Sequence, residues 1–389
     1  MVKLKLGLIF GGRSVEHEVS VITAIQAFEN LDKSKYEVVP IYVSKKGLFY
    51  TSQKFLLLKN FKDLDSLLLS FPQITFARKE GKSGIATFGM FPKFINLDVV
   101  YPLIHGSFGE DGSLQGVLEI FQIPYIGFNV LGSAVGMDKI ISKYIFQALG
   151  IPIGKFVVIK RSDFQKNSKK ALGEAKNLKY PLVVKPGDIG SSIGVNKVLI
   201  PDDLEFNVEV ALVYSDFCLI EEGFERVIEV NCAALGYKDP IVSLCEEPIG
   251  KDTTLSFKDK YQSGGSKNSP KNSGMAYLTR KIPAPISKDL TKKIQDTTLL
   301  VFKTLEGCGV ARVDYFVDPE TGKFWINEIN TIPGSQSFYL FEPMGIPYKK
   351  ELDILVEGAL DRFSDQNKTQ FSFESGLLSQ MAVSGGVKH

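Results

Sequence analysis

Tryptophan occurs once in this 389-residue chain, histidine three times and cysteine four times. The cysteines (Cys218, Cys232, Cys245 and Cys308) are far apart and form no CxxC pair. That spacing excludes a disulfide scaffold and a zinc cluster, and fits buried thiols in a reducing compartment. No uncharged apolar run is long enough to span a bilayer, and no basic-then-apolar leader is visible. A cytoplasmic location and no membrane partner are therefore expected. Charge of one sign is also missing: 46 Lys plus Arg against 44 Asp plus Glu leave a net +2. Such a balance gives no broad attraction to nucleic acid, and the local run KNSKK (166–170) reads as a solvated face.

What is present is an alternation of apolar runs and helical patterns. KLGLIF (5–10), YEVVPIYVS (36–44), NLDVVYPLI (96–104) and IPYIG (123–127) read as strands, and VSVITAIQAFENL (19–31) has helical spacing. Strands alternating with helices predict a parallel α/β sheet. Residues 45–95 are less regular, with a helix-like FKDLDSLLLSF and a Gly-Lys turn at 79–84. DKIISKYIFQAL (138–149) reads as a helix stopped by Gly150 and Pro152. Strands then dominate to about 235, followed by a polar stretch, 246–275, of the length expected for a lid. Helices near 287–305 and 348–363 flank two strands, GVARVDYFVD and FWINEIN. The expected organisation is an N-terminal α/β unit (1–134), a central unit (135–235), a C-terminal unit (236–363) and a frayed tail (364–389).

Three stretches carry candidate chemistry. HGSFGEDGSLQG (105–116) wraps small residues around two carboxylates where a strand meets a helix. Turn chemistry accounts for its glycines but not for His105. VVKPGDIGSSIG (183–194) is a strand feeding a glycine-serine loop, suited to covering phosphates with backbone N–H groups while Lys185 adds a charge. It lacks the GK[ST] ending of a Walker loop, and a plain hairpin remains an equal reading. RVDYF (312–316) and WINEIN (325–330) place Glu328 and Asn330 at i and i+2, on one face of a strand, with Asp314 opposite. Three oxygen ligands of this kind suit Mg²⁺ shared with phosphates, against a reading as edge-strand polarity.

Six motifs in order, namely GGRSVEHEVS (11–20), HGSFGEDGSLQG, MDK (137–139), VVKPGDIGSSIG, ARVDYF and NEINTIPG (327–334), resemble those of the D-alanine–D-alanine ligases of the ATP-grasp superfamily. The resemblance covers roughly residues 4–362. It implies an ATP-grasp architecture: an N-terminal parallel α/β sheet, a small central antiparallel-sheet α+β domain and a C-terminal α+β domain. It also implies ATP-dependent joining of two D-alanines through an acyl phosphate, for peptidoglycan precursors, with two Mg²⁺ (or Mn²⁺) ions and a homodimeric assembly.

Residue by residue, the resemblance assigns Lys139 and Lys185 to nucleotide phosphates, Lys260 to the γ-phosphate, and Glu222 and Glu229 to adenine and ribose. Ser192 joins this nucleotide set. Asp314, Glu328 and Asn330 match metal ligands, and Arg312 with Gly334 matches the oxyanion-stabilising pair. Glu16, Ser191 and Tyr261 match the group holding the first D-alanine, with His105 at the same end. Each has a plainer reading: Glu16 as a first-turn helix carboxylate, His105 as a core histidine, Tyr261 as a loop aromatic. Two positions depart from the pattern. Ile189 stands where the family often has Glu, and Tyr339 where a serine commonly meets the second substrate, leaving Ser337 as its substitute. A D-alanine–D-lactate or D-alanine–D-serine ligase therefore stays open, as does a regulatory nucleotide binder that has lost catalysis. Retention of Arg312 and the metal set speaks against the last.

Overall fold

The computed structural model describes residues 2–249 and 279–383. Its N-terminal part is built on β1 (Leu4–Gly11), α1 (His17–Asn30), β2 (Tyr36–Val43) and β3 (Phe49–Tyr50). After α2 (Leu64–Leu69) come β4 (Ile74–Lys79), β5 (Lys82–Thr87), β6 (Phe94–Asn96) and β7 (Val99–Pro102). The main sheet has the order β3-β2-β1-β7, with β1 parallel to both neighbours. Leu6, Leu8, Ile9 and Phe10 of β1 are fully buried, as a central parallel strand covered on both faces requires. Strands β4, β5 and β6 form a separate antiparallel sheet, so the irregular 45–95 region carries more order than its pattern suggests. IPYIG (123–127) is not a strand. It makes a single parallel bridge, Tyr125 to Val100, and buries Ile123, Tyr125 and Ile126 outside any strand.

Three helices lead out of this unit: α3 (Ser113–Ile120), α4 (Val130–Met137) and α5 (Lys139–Ala148). The expected boundary after 134 falls inside α4. Asp138 caps α5, its carboxylate accepting from the N–H groups of Ile140 (2.8 Å) and Ile141 (2.9 Å). The central sheet, all antiparallel, comprises β8 (Phe156–Lys160), β9 (Leu182–Pro186), β10 (Asn196–Val198) and β11 (Phe217–Glu222), backed by α6 (Leu204–Tyr214).

The third sheet is formed by β12 (Ile228–Gly236), β13 (Ile241–Val242), β16 (Gly309–Val317) and β17 (Phe324–Asn330), in the order β13-β12-β16-β17. A ribbon of β14 (Glu247–Pro248) and β15 (Arg280–Lys281) stands beside it. IEVNCAALG, expected in the central unit, belongs here: β12 pairs with β16 along its whole length. The change of sheet therefore falls between 222 and 228, not at 235. Helix α7 (Lys288–Thr304) packs on β12, and α8 (Tyr348–Gln366) buries Leu352, Leu355 and Val356 in the core shared with β1. Helix α8 runs past the expected start of the tail, and Leu377–Val383 forms another short helix. All four cysteines are free and buried. Among the described residues no helix is long and apolar enough to cross a membrane.

Candidate active site

A cleft of about 50 Å³ lies where the three sheets meet, lined among others by Glu16, His105, Lys139, Ser191, Arg312, Glu328, Asn330 and Gly334. Glu16 immediately precedes α1, yet its side chain makes no helix-capping bond. It accepts instead from the Ser191 hydroxyl, 175 residues away in the β9–β10 loop. Gly106 and Gly190 make this possible. A Cβ on either would lie 2.7 Å from the Glu16 carboxylate. Ser191 and Ser192 both take positive φ, 54° and 58°, which folds the loop over the cleft.

His105 is buried. Its Nε2 lies 3.1 Å from the Thr23 hydroxyl and its Nδ1 3.8 Å from Glu110 Oε1. Burial alone would lower its pKa; the Glu110 carboxylate, with Glu16 behind it, overrides that and raises it above the ordinary value. Glu110, to which sequence reasoning gave no role, ties the turn to the segment that follows β17. It accepts from Gly106 N–H at 3.0 Å and from Ile332 N–H at 3.1 Å.

At the other end, Lys139 starts α5 and donates to Ile189 O at 3.0 Å, with Glu328 Oε2 at 3.1 Å. Only the backbone of Ile189 is used, so the missing acidic side chain there does not remove this contact. Strands β16 and β17 set Arg312 opposite Asn330 and Asp314 opposite Glu328. Arg312 donates to both oxygens of Asp314, at 2.6 and 2.7 Å, and Asn330 donates to Asp314 Oδ2 at 3.1 Å. Asp314 thus stands behind the lining residues.

Lys185 is on β9, bonded to Asn327 Oδ1 at 2.9 Å and ion-paired with Glu221. Lys143, one helical turn after Lys139, also pairs with Glu221 at 2.7 Å. Burial would push the Glu221 carboxyl up, but the two lysines bring it down to about 2. Neither Lys143 nor Glu221 was singled out from sequence; the four-residue spacing of Lys139 and Lys143 on one helix face was the available signal. Glu222 accepts from Lys179 N–H at 3.0 Å, and Glu229 pairs with Phe316 on the same face of the sheet as Asp314.

Ser337 and Tyr339 do not line the cleft. Both are buried in the kinked segment Gly334–Leu340, where Ser335, Gln336 and Ser337 take positive φ, and the Tyr339 hydroxyl donates to Glu246 at 3.3 Å. The Arg280 guanidinium lies 3.6 Å from the Tyr339 ring centroid and 2.7 Å from Glu246. Lys260 and Tyr261, with most of the 246–275 stretch, lie outside the described residues.

The donor set suits a hard cation in chemistry: two carboxylates and a carboxamide on paired strands. Among the described residues no three His, Cys, Asp or Glu side chains gather as a metal cluster. Holding an ion therefore needs Asn330 and oxygens brought by the substrate.

Family models for the N-terminus and the C-terminus of D-ala D-ala ligase match residues 5–128 and 145–357. The D-alanine–D-alanine ligase of Caldicellulosiruptor bescii is 36% identical over 383 residues, 96% of this chain and 100% of its own. That of Thermosipho melanesiensis is 37% identical, over 96% and 98%. Among solved structures, the D-alanine-D-alanine ligase from Coxiella burnetii superposes with a TM-score of 0.78 at 29% identity, covering 98% and 99%. VanG D-Ala:D-Ser ligase from Enterococcus faecalis gives 0.75 at 31%, covering 92% and 100%.

Proposed function

The chain belongs to the D-alanine–D-alanine ligase family, and from that premise we propose how the cleft carries out the family's ATP-dependent joining of two D-alanines for peptidoglycan synthesis. The Glu16 carboxylate, fixed by Ser191, holds the ammonium of the first D-alanine. This leaves the substrate carboxylate facing Lys139. A carboxylate oxygen of that D-alanine attacks the γ-phosphorus of ATP, and the bond to ADP breaks. Lys139 and Lys185 neutralise the phosphate oxygens that crowd together in this step.

The amine of the second D-alanine then attacks the acyl carbon, and inorganic phosphate leaves as the amide forms. Arg312, with Gly334 beside it, meets the tetrahedral oxyanion between attack and departure. Asp314 fixes the plane of the guanidinium and keeps it aimed. Asp314, Glu328 and Asn330 would hold Mg²⁺ or Mn²⁺, two ions in all, whose charge offsets that of the phosphates when bound. Ser192, Glu222 and Glu229 are assigned to the nucleotide, His105 to the amino-acid end, and Lys260 and Tyr261 to closure over both.

One observation carries this reading. Glu16, just before α1, and Ser191, in the β9–β10 loop, meet in the same cleft as Arg312 of β16. D-Alanine labelled with ¹⁸O in its carboxylate tests it: label must appear in the released phosphate, and unlabelled phosphate would refute the acyl phosphate. The VanG likeness favours D-serine as a second reading. Equimolar D-alanine, D-serine and D-lactate in one assay rank the acceptors. A homodimer in the cytoplasm completes the proposal, tested by sedimentation and fractionation.

A further inference from the structure

A second cavity, of about 350 Å³, opens on the N-terminal unit, beyond the carboxyl ends of β1, β2 and β7. Phe49, Ile104, Phe108 and Val117 give it apolar walls. Its charged lining residues are Arg13 and Lys46, both exposed, and among the described residues no acid lines it. Phe108 has φ 64°, a conformation sterically costly for a bulky side chain, and is 47% exposed. The Arg13 guanidinium stands 5.5 Å from that ring. Backbone held in this way is characteristic of ligand clamps.

The cavity shares two loops with the catalytic cleft. Gly12 and Arg13 begin the loop that ends at Glu16, and Ile104 and Phe108 flank His105. We propose that this cavity binds a small amphipathic anion: a carboxylate or sulfonate carried on an aromatic or aliphatic body. Volume and lining both fit a small-molecule site, with apolar walls and few polar groups setting orientation. The two cations select the anionic head, since nothing acidic in the lining already neutralises them.

The probe is 8-anilino-1-naphthalenesulfonate, read by fluorescence against uncharged N-phenyl-1-naphthylamine, in full-length protein with saturating ADP and D-alanine. The sulfonate should bind more tightly than the neutral amine. Lys46→Glu and Arg13→Glu should each weaken it by about fivefold or more, since each changes the charge beside the anion by two units and one unit in water is worth about fivefold. Binding of the neutral amine should not change. Equal binding of the two probes, or a sulfonate signal indifferent to both variants, would overturn the proposal. So would displacement by ADP or D-alanine, which would put the probe in the catalytic cleft. Probe binding that falls as protein concentration rises would assign the face to a second copy, and co-sedimentation with phosphatidylglycerol vesicles to a lipid surface; either result defeats the small-molecule site. None of these readouts uses turnover, so they stand apart from the ligase assignment.

Discussion

Arg312 and Asp314, two residues apart on one strand, form a buried fork in which Nε meets Oδ1 at 2.6 Å and Nη2 meets Oδ2 at 2.7 Å. A guanidinium locked in this way presents its remaining N–H groups in a fixed direction. It is also an internal ion pair whose separation has its own structural cost.

Arg312→Met should therefore do two things. It should lower kcat about 100-fold or more, the scale of one lost oxyanion donor. It should also cost about 3–5 kcal/mol of stability, because Asp314 is left buried without its cation. Arg312→Lys separates the two effects, restoring much of the melting temperature while kcat stays low. A methionine variant with unchanged kcat would show that another group meets the oxyanion.

Glu328→Gln removes one charge from the donor set and the partner of Lys139, 3.1 Å away. Turnover should be nearly abolished, and raising Mg²⁺ should recover only part of it, since an uncharged amide is a poor ligand for this ion. Phosphate release across a magnesium titration checks this. Near-wild-type rates at millimolar Mg²⁺ would remove Glu328 from the set.

The His105–Glu110 pair predicts a pH dependence. The folded-state pKa of His105 lies above its ordinary 6.5. Its stabilisation is then complete below 6.5 and is lost as pH rises through the folded value. His17 acts in the opposite sense. Burial, which outweighs its bond to Gly12 O, lowers its pKa, so it disfavours the fold as pH falls below 6.5. Melting curves of His105→Gln against the parent isolate the first contribution: the stability difference should shrink with increasing pH. A difference that grows would contradict the pairing.

Tyr339→Phe tests the position where the family resemblance implies a serine. Its hydroxyl bonds Glu246 and its ring lies against Arg280, away from the cleft lining. Deleting one such bond costs about 0.5–1.5 kcal/mol. Dipeptide synthesis should remain within about tenfold of the parent, with the KM of the second D-alanine little changed. A loss of two orders of magnitude would mean the hydroxyl touches that substrate.

The elements most legible in the sequence are those whose burial follows a period. The apolar run of β1 and the spacing along α1 each give their element directly, because covering one face dictates the pattern, and Gly150 and Pro152 mark the end of α5. IPYIG misleads for a physical reason: it is buried without strand partners on both sides, and an apolar run records burial rather than pairing. Likewise IEVNCAALG reads as a strand but does not announce its neighbour, which is β16 across the chain. At the site, Glu16, Ser191, Arg312 and Glu328, each singled out within a motif, line one cleft. The hold of Glu110 on backbone amides and of Glu221 on two lysines was not legible, since neither task leaves a spacing to recognise.

The Lys139–Glu328 contact also has a consequence for the order in which the cleft is filled. The lysine and the carboxylate each offset charge on the other. A nucleotide phosphate that draws Lys139 away takes one cation from beside Glu328, and a metal ion that takes up Glu328 takes one carboxylate from beside Lys139. When both arrive, each frees a group that the other uses. The pair should therefore make nucleotide and metal mutual effectors, with the affinity for either expected to rise in the presence of the other by one shared coupling free energy.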